Sequence, residues 1–174
     1  MNANRRLGIA VELDKLADQY YQELRLDEAE SVYWLSLVIR EKTVGLDHPD
    51  VATSLRNLAY LYETMGRWSY AERFHKRAIE ISEAEFGADH PSVMINLQGL
   101  SENYIKQRRF PEARDLMERQ LGFWRSVLGQ SHPFVTSRKA KFDALVLDMS
   151  TAAPNNVVQF PLKRQSLADC TDHR

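Results

Sequence analysis

A five-residue motif recurs three times along the chain at constant spacing. It reads Gly45-Leu-Asp-His-Pro49, then Gly87-Ala-Asp-His-Pro91, then Gly129-Gln-Ser-His-Pro133, so that its glycines lie 42 residues apart. A fixed period of this length is typical of a solenoid, in which each unit buries its apolar face only against the next unit. The motif therefore predicts a stack of similar units.

Between the motifs, apolar residues recur at helical spacing twice in each unit. The first helix of the second unit has Leu55, Leu58, Ala59 and Tyr62 on one face. After Gly66, a second series follows, made of Ala71, Phe74, Ala78 and Ile81. Shifts of 42 residues in either direction recover residues of similar character. The pattern predicts an all-α chain in which each unit is a hairpin of two amphipathic helices.

Each motif is expected to end one unit and to begin the next. Its glycine closes a second helix, where a left-handed residue is often needed. Asp47, Asp89 or Ser131, with the His-Pro that follows, is expected to start the next first helix. These boundaries predict repeats over about residues 5–44, 45–86 and 87–128.

The end of the array has a different composition. Residues 133–149 continue the pattern of a first helix, but Lys139 stands where Leu55 and Leu97 stand in earlier units. The outer face of a terminal repeat must be wetted by solvent, so we expect this helix to cap a solenoid of residues 1–149. Residues 150–174 contain Pro154 and Pro161 and no sustained period, which predicts a disordered tail.

These residues resemble tetratricopeptide repeats. The 42-residue period, the Gly-x-(Asp/Ser)-His-Pro motif and Asn57-Leu58-Ala59 are similar to the kinesin-light-chain type of repeat. An ordinary repeat has roughly 34 residues, so the extra length is expected in a longer second helix and its linker. The resemblance implies a right-handed α-α superhelical solenoid of three hairpins and a C-terminal capping helix.

Composition argues against several classes of protein. A formal net charge of −1, with basic and acidic residues interspersed, lacks the basic surface of a nucleic-acid-binding protein. No apolar run approaches the roughly 18 residues of a membrane span, and residues 1–14 do not form a secretory signal. A single cysteine, Cys170, cannot form an internal disulfide. We therefore expect a cytoplasmic protein without membrane or nucleic-acid partners.

Catalytic and metal sites are not expected either. His48, His90 and His132 recur with the solenoid period, so stacking should hold them too far apart to share a zinc ion. Cys170 lies in the predicted tail, which cannot keep a thiol, a base and an oxyanion donor in register. No phosphate-binding loop, HExxH or GxSxG motif is present. The sequence predicts a non-enzymatic protein without a cofactor or a metal.

The first helix of each unit is expected to line the concave side of the solenoid. Residues on the non-core face of these helices would then form rows along a groove that suits an extended peptide or a partner helix. The predicted groove residues are Lys15, Asp18, Tyr21, Thr53, Arg56, Asn57, Tyr60, Glu63, Ile95, Gly99, Glu102 and Lys141.

Two groove residues leave alternatives open. The resemblance implies that Asn57 holds the main chain of a bound peptide, since an amide can donate and accept hydrogen bonds at once. The matching positions carry Lys15, Gly99 and Lys141, so Asn57 is either a binding residue or a solvated helix residue. Gly99 either leaves a shallow apolar pocket beside Ile95 or is a neutral replacement.

The sequence thus predicts a scaffold or adaptor that binds a peptide or protein segment in a concave groove. The alternative is a self-associating structural module, a homo-oligomer built through an end of the solenoid or through the tail segment Phe160-Pro161-Leu162.

Overall fold

The computed structural model describes residues 2–151, and all regular structure within them is helical. The helices are α1 (Ala3–Gln22), α2 (Leu26–Val44), α3 (Pro49–Thr64), α4 (Trp68–Phe86), α5 (Pro91–Lys106), α6 (Phe110–Leu128) and α7 (Pro133–Thr151). Helices α1 to α6 form three hairpins, and each hairpin packs on the next. The predicted all-α solenoid with seven helices is confirmed, whereas its handedness stays a prediction.

Helix α7 packs on α6 and stands where the first helix of a fourth repeat would stand. Its helical residues 150 and 151 were expected to belong to the tail. The remainder of the predicted disordered tail, residues 152–174, lies outside the described residues.

The linker histidines, rather than the residues before them, cap the first helices. The backbone N–H of Asp50 donates to Nδ1 of His48 at 3.1 Å, and the same contact recurs at 3.2 Å for His90 and for His132. A proline follows each histidine at the start of the helix, where its missing N–H costs nothing. The prediction named Asp47, Asp89 or Ser131 with the His-Pro that follows, and within these triplets the histidine caps the helix.

Glycine ends each second helix with a backbone conformation that other residues rarely adopt. Gly45, Gly87 and Gly129 have φ values of 95°, 83° and 84°. The backbone N–H of each still bonds the carbonyl four residues earlier, so the helix is complete up to this point. The positive φ explains why glycine recurs with the period of 42 residues.

The core consists of the predicted apolar faces, with alanine where helices approach most closely. Ala17, Ala29, Ala59, Ala71 and Ala113 are fully buried. One apolar cluster joins α1 to α4 and a second joins α4 to α7. Leu16, which matches buried Leu58 after a shift of 42 residues, is 37% exposed, because no other described helix covers that side of α1.

A polar contact that we call the inter-repeat clasp joins consecutive hairpins. Glu30 on α2 accepts hydrogen bonds from the hydroxyl of Tyr62 and, at 3.4 Å, from Nη1 of Arg67. The same clasp recurs 42 residues later, with Glu72, Tyr104 at 3.1 Å and Arg109 at 2.6 Å. Each clasp ties a second helix to the hairpin that follows it.

The polar groups buried between hairpins differ from one junction to the next. At the junction of the first two repeats, Arg40 on α2 donates to Ser54 on α3. Within its own hairpin, Arg40 pairs with Asp14 on α1 at 2.6 Å, with side chains only 6% and 14% exposed. Between the second and third repeats, the amide of Asn96 donates to Ser82 at 2.8 Å. A buried arginine, paired within its own hairpin, thus reaches across one junction, and a neutral hydrogen bond crosses the other.

Candidate protein-binding groove

A cavity of about 340 Å³ crosses the first helices of all three repeats. Helix α1 lines one side of the cavity with Asp18 and Tyr21. Residues of α3 line the middle, between α1 and α5. The full lining is Asp18, Tyr21, Tyr33, Asn57, Tyr60, Leu61, Glu63, Glu102 and Lys106. Six residues of the predicted groove therefore border one cavity.

A second cavity of about 450 Å³ lies between α5 and α7. Glu102 borders both cavities, so they adjoin, and we refer to the two together as the groove. Lys141, another predicted groove residue, lines the second cavity with Arg138. Its apolar lining includes Ile105, Met117 and Leu145, which leaves room for a partner's apolar side chain.

Tyr33 fixes the carboxylate of Asp18 at one end of the groove. The hydroxyl of Tyr33, on α2, donates a hydrogen bond to Oδ1 of Asp18 on α1. Burial, together with this hydrogen bond, raises the pKa of Tyr33, so its phenol stays protonated. Sequence reasoning missed Tyr33 because it lies on a second helix, outside the rows assigned to the groove.

Glu63 does not offer the free carboxylate expected of a groove residue. It is only 4% exposed, and its two oxygens lie 3.0 Å from Nε2 of His75 and 2.9 Å from Nζ of Lys106. Burial by itself raises the pKa of Glu63, but the hydrogen bonds to His75 and Lys106 outweigh it, and the pKa lies below its usual value. Glu63 therefore holds Lys106 against the edge of the cavity.

Gly99 is buried, and the space beside it is filled. A Cβ atom at this position would lie 2.3 Å from Cε1 of His75, whose imidazole is fully buried. The expected shallow pocket beside Ile95 is therefore wrong, and the interpretation of Gly99 as a neutral replacement is wrong as well. Glycine is required because the imidazole of the preceding repeat occupies the place of a side chain.

Asn57 and Tyr60 present free polar groups to the groove from a single turn of α3. Neither the amide of Asn57 nor the hydroxyl of Tyr60 bonds another side chain or carbonyl within residues 2–151. The ring of Tyr60 packs edge-on against His75, with centroids 5.5 Å apart. Burial and the nearby carboxylate of Glu102 raise the pKa of Tyr60, so its hydroxyl remains a donor at neutral pH.

Besides buried Gly99, four predicted groove residues border neither cavity. Lys15 is exposed and pairs with Glu12 at 2.7 Å, and Ile95 is exposed as well. Thr53 and Arg56 are partly exposed on α3. These four residues flank the cavities that the other groove residues line.

The two cavities differ in charge. Asp18 and Glu102 form no ion pair within the described residues, so the cavity of the first helices carries uncompensated negative charge. In the second cavity, Arg138 is held by the side-chain oxygens of Gln98 and Gln120. Burial lowers the pKa of Arg138, and the negative charge of Glu102 partly offsets this lowering. Sequence reasoning missed Arg138, whose place in the preceding repeats is taken by Asn96 and Ser54.

The described part of the chain has neither a metal-binding cluster nor a membrane-spanning helix. Among residues 2–151, no three His, Cys, Asp or Glu side chains are grouped so that they could hold a metal ion. None of the helices in this part combines the length and apolar character that crossing a membrane requires.

Solved structures with similar folds are helical-repeat proteins. A Podosopora anserina protein assigned as a kinesin light chain, with nearly identical TPR-like repeats, superposes with a TM-score of 0.73 at 21% identity, over 83% of this chain and 68% of that one. BtubC (BKLC) of P. vanneervenii gives 0.65 at 20% identity, over 95% and 71% of the two chains. The N-terminal domain of stress-induced protein-1 from C. elegans gives 0.59 at 14% identity, over 79% and 97%.

One of the two sequence comparisons identifies the family. A search among curated proteins found no match. The family model described as tetratricopeptide repeat matches residues 9–84 and 65–126, which together cover most of the three hairpins. With the 42-residue period and a fold similar to kinesin-light-chain-like repeats, this match shows that the chain belongs to the tetratricopeptide repeat family.

Proposed function

We propose that this protein is a non-enzymatic scaffold or adaptor that binds a peptide or a segment of a partner protein in the groove. Tetratricopeptide repeats are in general protein-interaction modules. The observation that carries the proposal is the pair of free polar groups on Asn57 and Tyr60 within a cavity that crosses three first helices. Such a surface offers hydrogen bonds to a ligand without first breaking contacts of its own.

The groove offers different contacts along its length. The amide of Asn57 can donate to and accept from the main chain of an extended peptide. Asp18 and Glu102 favour a polar or basic residue at one end, and the cavity beside Leu145 accommodates an apolar one at the other. A short peptide loses much conformational freedom on binding, so we expect an affinity of about 1 μM, or about −8 kcal/mol.

The proposal implies protein partners, a cytoplasmic location and no cofactor. A formal net charge of −1 and the carboxylates of the groove disfavour a nucleic-acid ligand.

A pair of variants tests the groove. Asn57→Ala/Tyr60→Phe removes the free amide and hydroxyl but keeps the ring that packs on His75. Arg114→Ala, on the exposed surface of α6, is the control. Proteins captured from native lysate by the wild type and the control, but lost by the double variant, would be identified by mass spectrometry, and their binding segments measured by calorimetry. We expect at least about ten-fold weaker binding for the double variant. Equal binding would place recognition outside the groove.

Self-association is the second candidate, and exposed apolar side chains at both ends of the described chain favour it. A cavity of about 570 Å³ on α1 is bordered by Ile9, Leu13 and Leu16, and Leu147 on α7 is 63% exposed. Sedimentation velocity over a range of concentrations would detect a dimer, and Leu16→Glu should dissociate it if α1 forms the contact. A monomer at every concentration would exclude this function.

A further inference from the structure

A further cavity, of about 620 Å³, lies on the face formed by the second helices α2 and α4. Buried Leu37 and Leu55 contribute to its lining. Four aromatic residues also line it, and we call the site the aromatic cleft: Trp34, Tyr62, Tyr70 and Phe74. No residue of the aromatic cleft borders the groove.

The four rings pack against one another and leave exposed faces. Phe74 meets Trp34 edge-on at 5.7 Å between centroids, and Tyr62 lies 5.3 Å from Phe74 and 5.5 Å from Tyr70. Trp34 remains 37% exposed and Tyr70 53% exposed. Large aromatic rings with this exposure, gathered beside a cavity, are typical of binding surfaces.

The next junction of the same chain shows that these aromatic rings are not needed for stacking. Tyr104 repeats Tyr62, and the inter-repeat clasp is the same at both junctions. The other three positions lose their aromatic character 42 residues later, with Lys76 for Trp34, Glu112 for Tyr70 and Leu116 for Phe74. Since the second and third repeats pack without them, the aromatic side chains of the cleft serve another purpose.

Most hydrogen-bonding groups in the aromatic cleft are already in use. The indole Nε1 of Trp34 donates to the hydroxyl of Tyr62 at 3.4 Å, and that hydroxyl donates to Glu30. The hydroxyl of Tyr70 bonds no other described residue and remains available as a donor. Proline suits such a surface because it lacks an N–H that would need an acceptor, while its carbonyl can accept from Tyr70.

One cation beside the aromatic cleft has no anionic partner. Lys76 pairs with Glu72, and Arg77 pairs with Asp47 and Glu80. Arg73 is exposed, lines the same cavity and forms no ion pair within residues 2–151. An acidic residue of a ligand can therefore pair with Arg73 without displacing an existing contact.

We propose that the aromatic cleft binds a proline-rich segment of a partner protein, and that an acidic residue of this segment pairs with Arg73. Extended proline-rich segments dock into aromatic grooves at low entropic cost because they are already ordered before binding. The aromatic cleft and the groove share no lining residue, so the scaffold has separate sites for two partners.

The test uses the full chain and a labelled peptide of sequence PPLPPEPP. We expect a dissociation constant of roughly 10–100 μM by fluorescence polarisation, with a shift of the Trp34 indole N–H resonance. Trp34→Lys/Tyr70→Glu places at both positions the residues that the chain itself carries one repeat later, so the fold should persist. This variant should bind about ten-fold more weakly or not at all. Arg73→Glu should weaken binding of PPLPPEPP and strengthen binding of PPLPPKPP.

Several outcomes would overturn the proposal. One is the absence of binding at millimolar peptide, and another is binding that the double variant leaves unchanged while its thermal transition matches that of the wild type. A third is binding that appears only after removal of residues 152–174, because the chain's own C-terminal segment would then be the occupant. Asn57→Ala/Tyr60→Phe should leave binding of this peptide unchanged, which separates this test from that of the groove.

Discussion

The two junctions between the hairpins share their outer contacts and differ in their interiors. Both carry the inter-repeat clasp, formed by Glu30 at one junction and Glu72 at the other. In the interior, Arg40 donates to Ser54 across the first junction and pairs with Asp14 within its own hairpin, whereas Asn96 bonds Ser82 across the second. The periodic part of the sequence thus specifies how hairpins stack, and each junction satisfies its buried polar groups in its own way.

A second interior difference determines which residues reach the groove. His75 and Gly99 stand 42 residues after Tyr33 and Asn57, at the equivalent positions of the next two repeats. The imidazole of His75 fills the space beside Gly99, so no side chain can extend from that position. The third repeat therefore presents no side chain where the second presents the amide of Asn57, for a steric reason that lies in the neighbouring second helix.

The largest expected difference between the junctions concerns their buried polar pairs. Arg40→Ala leaves the carboxylate of Asp14 without its partner and should cost about 3–5 kcal/mol in the free energy of unfolding. Asn96→Ala removes neutral hydrogen bonds and should cost about 1–2 kcal/mol. Equilibrium denaturation in urea measures both. The double variant Asp14→Leu/Arg40→Leu should recover most of the loss, and equal losses for the two single variants would remove the distinction between the junctions.

A smaller difference is expected where the second helix meets the groove. Gly99→Ala forces a methyl group against the imidazole of His75 and should cost about 1–3 kcal/mol. Asn57→Ala, at the same place one repeat earlier, should change stability by less than about 0.5 kcal/mol. A double-mutant cycle with His75→Ala should show strong coupling to Gly99→Ala, because the added methyl group then has room. Additive losses would contradict this account of the glycine.

The smallest effect tests what the junctions have in common. Tyr62→Phe and Tyr104→Phe each remove one hydroxyl from a clasp and should each cost about 1 kcal/mol. Tyr62→Phe should cost slightly more than Tyr104→Phe, because the Tyr62 hydroxyl also accepts from Nε1 of Trp34 at 3.4 Å. The two losses should add in the double variant, since the two clasps share no residue. A loss confined to one of the two variants would mean that the clasps are not energetically equivalent.

Much of the fold could be predicted because it depends on residues that recur. The glycine that ends a helix, the proline that begins one and the apolar faces between them all repeat with the same period. Asp47-His48-Pro49 was expected to start a helix as a unit, and only the geometry shows that Nδ1 of His48 is the group that reaches the backbone.

The groove could be predicted only in part. Helical spacing correctly brought Asp18, Tyr60 and Glu102 to one wall. Spacing along the first helices cannot reveal what the second helices place beneath them, which is why Glu63 and Gly99 were assigned to the surface. Lys106 was missed for a related reason, since it borders the cavity through its ion pair with Glu63.

The clasp also determines how such a chain could shorten without losing its fold. Excision of residues 45–86 would join the first hairpin directly to the third, and Glu30 would then face Tyr104 and Arg109, the residues that complete a clasp. The interior would not match, because Arg40 would meet Asn96 in place of Ser54. Repeats of this protein are therefore interchangeable at their surface contacts, and their order is constrained by the buried charge of the first junction.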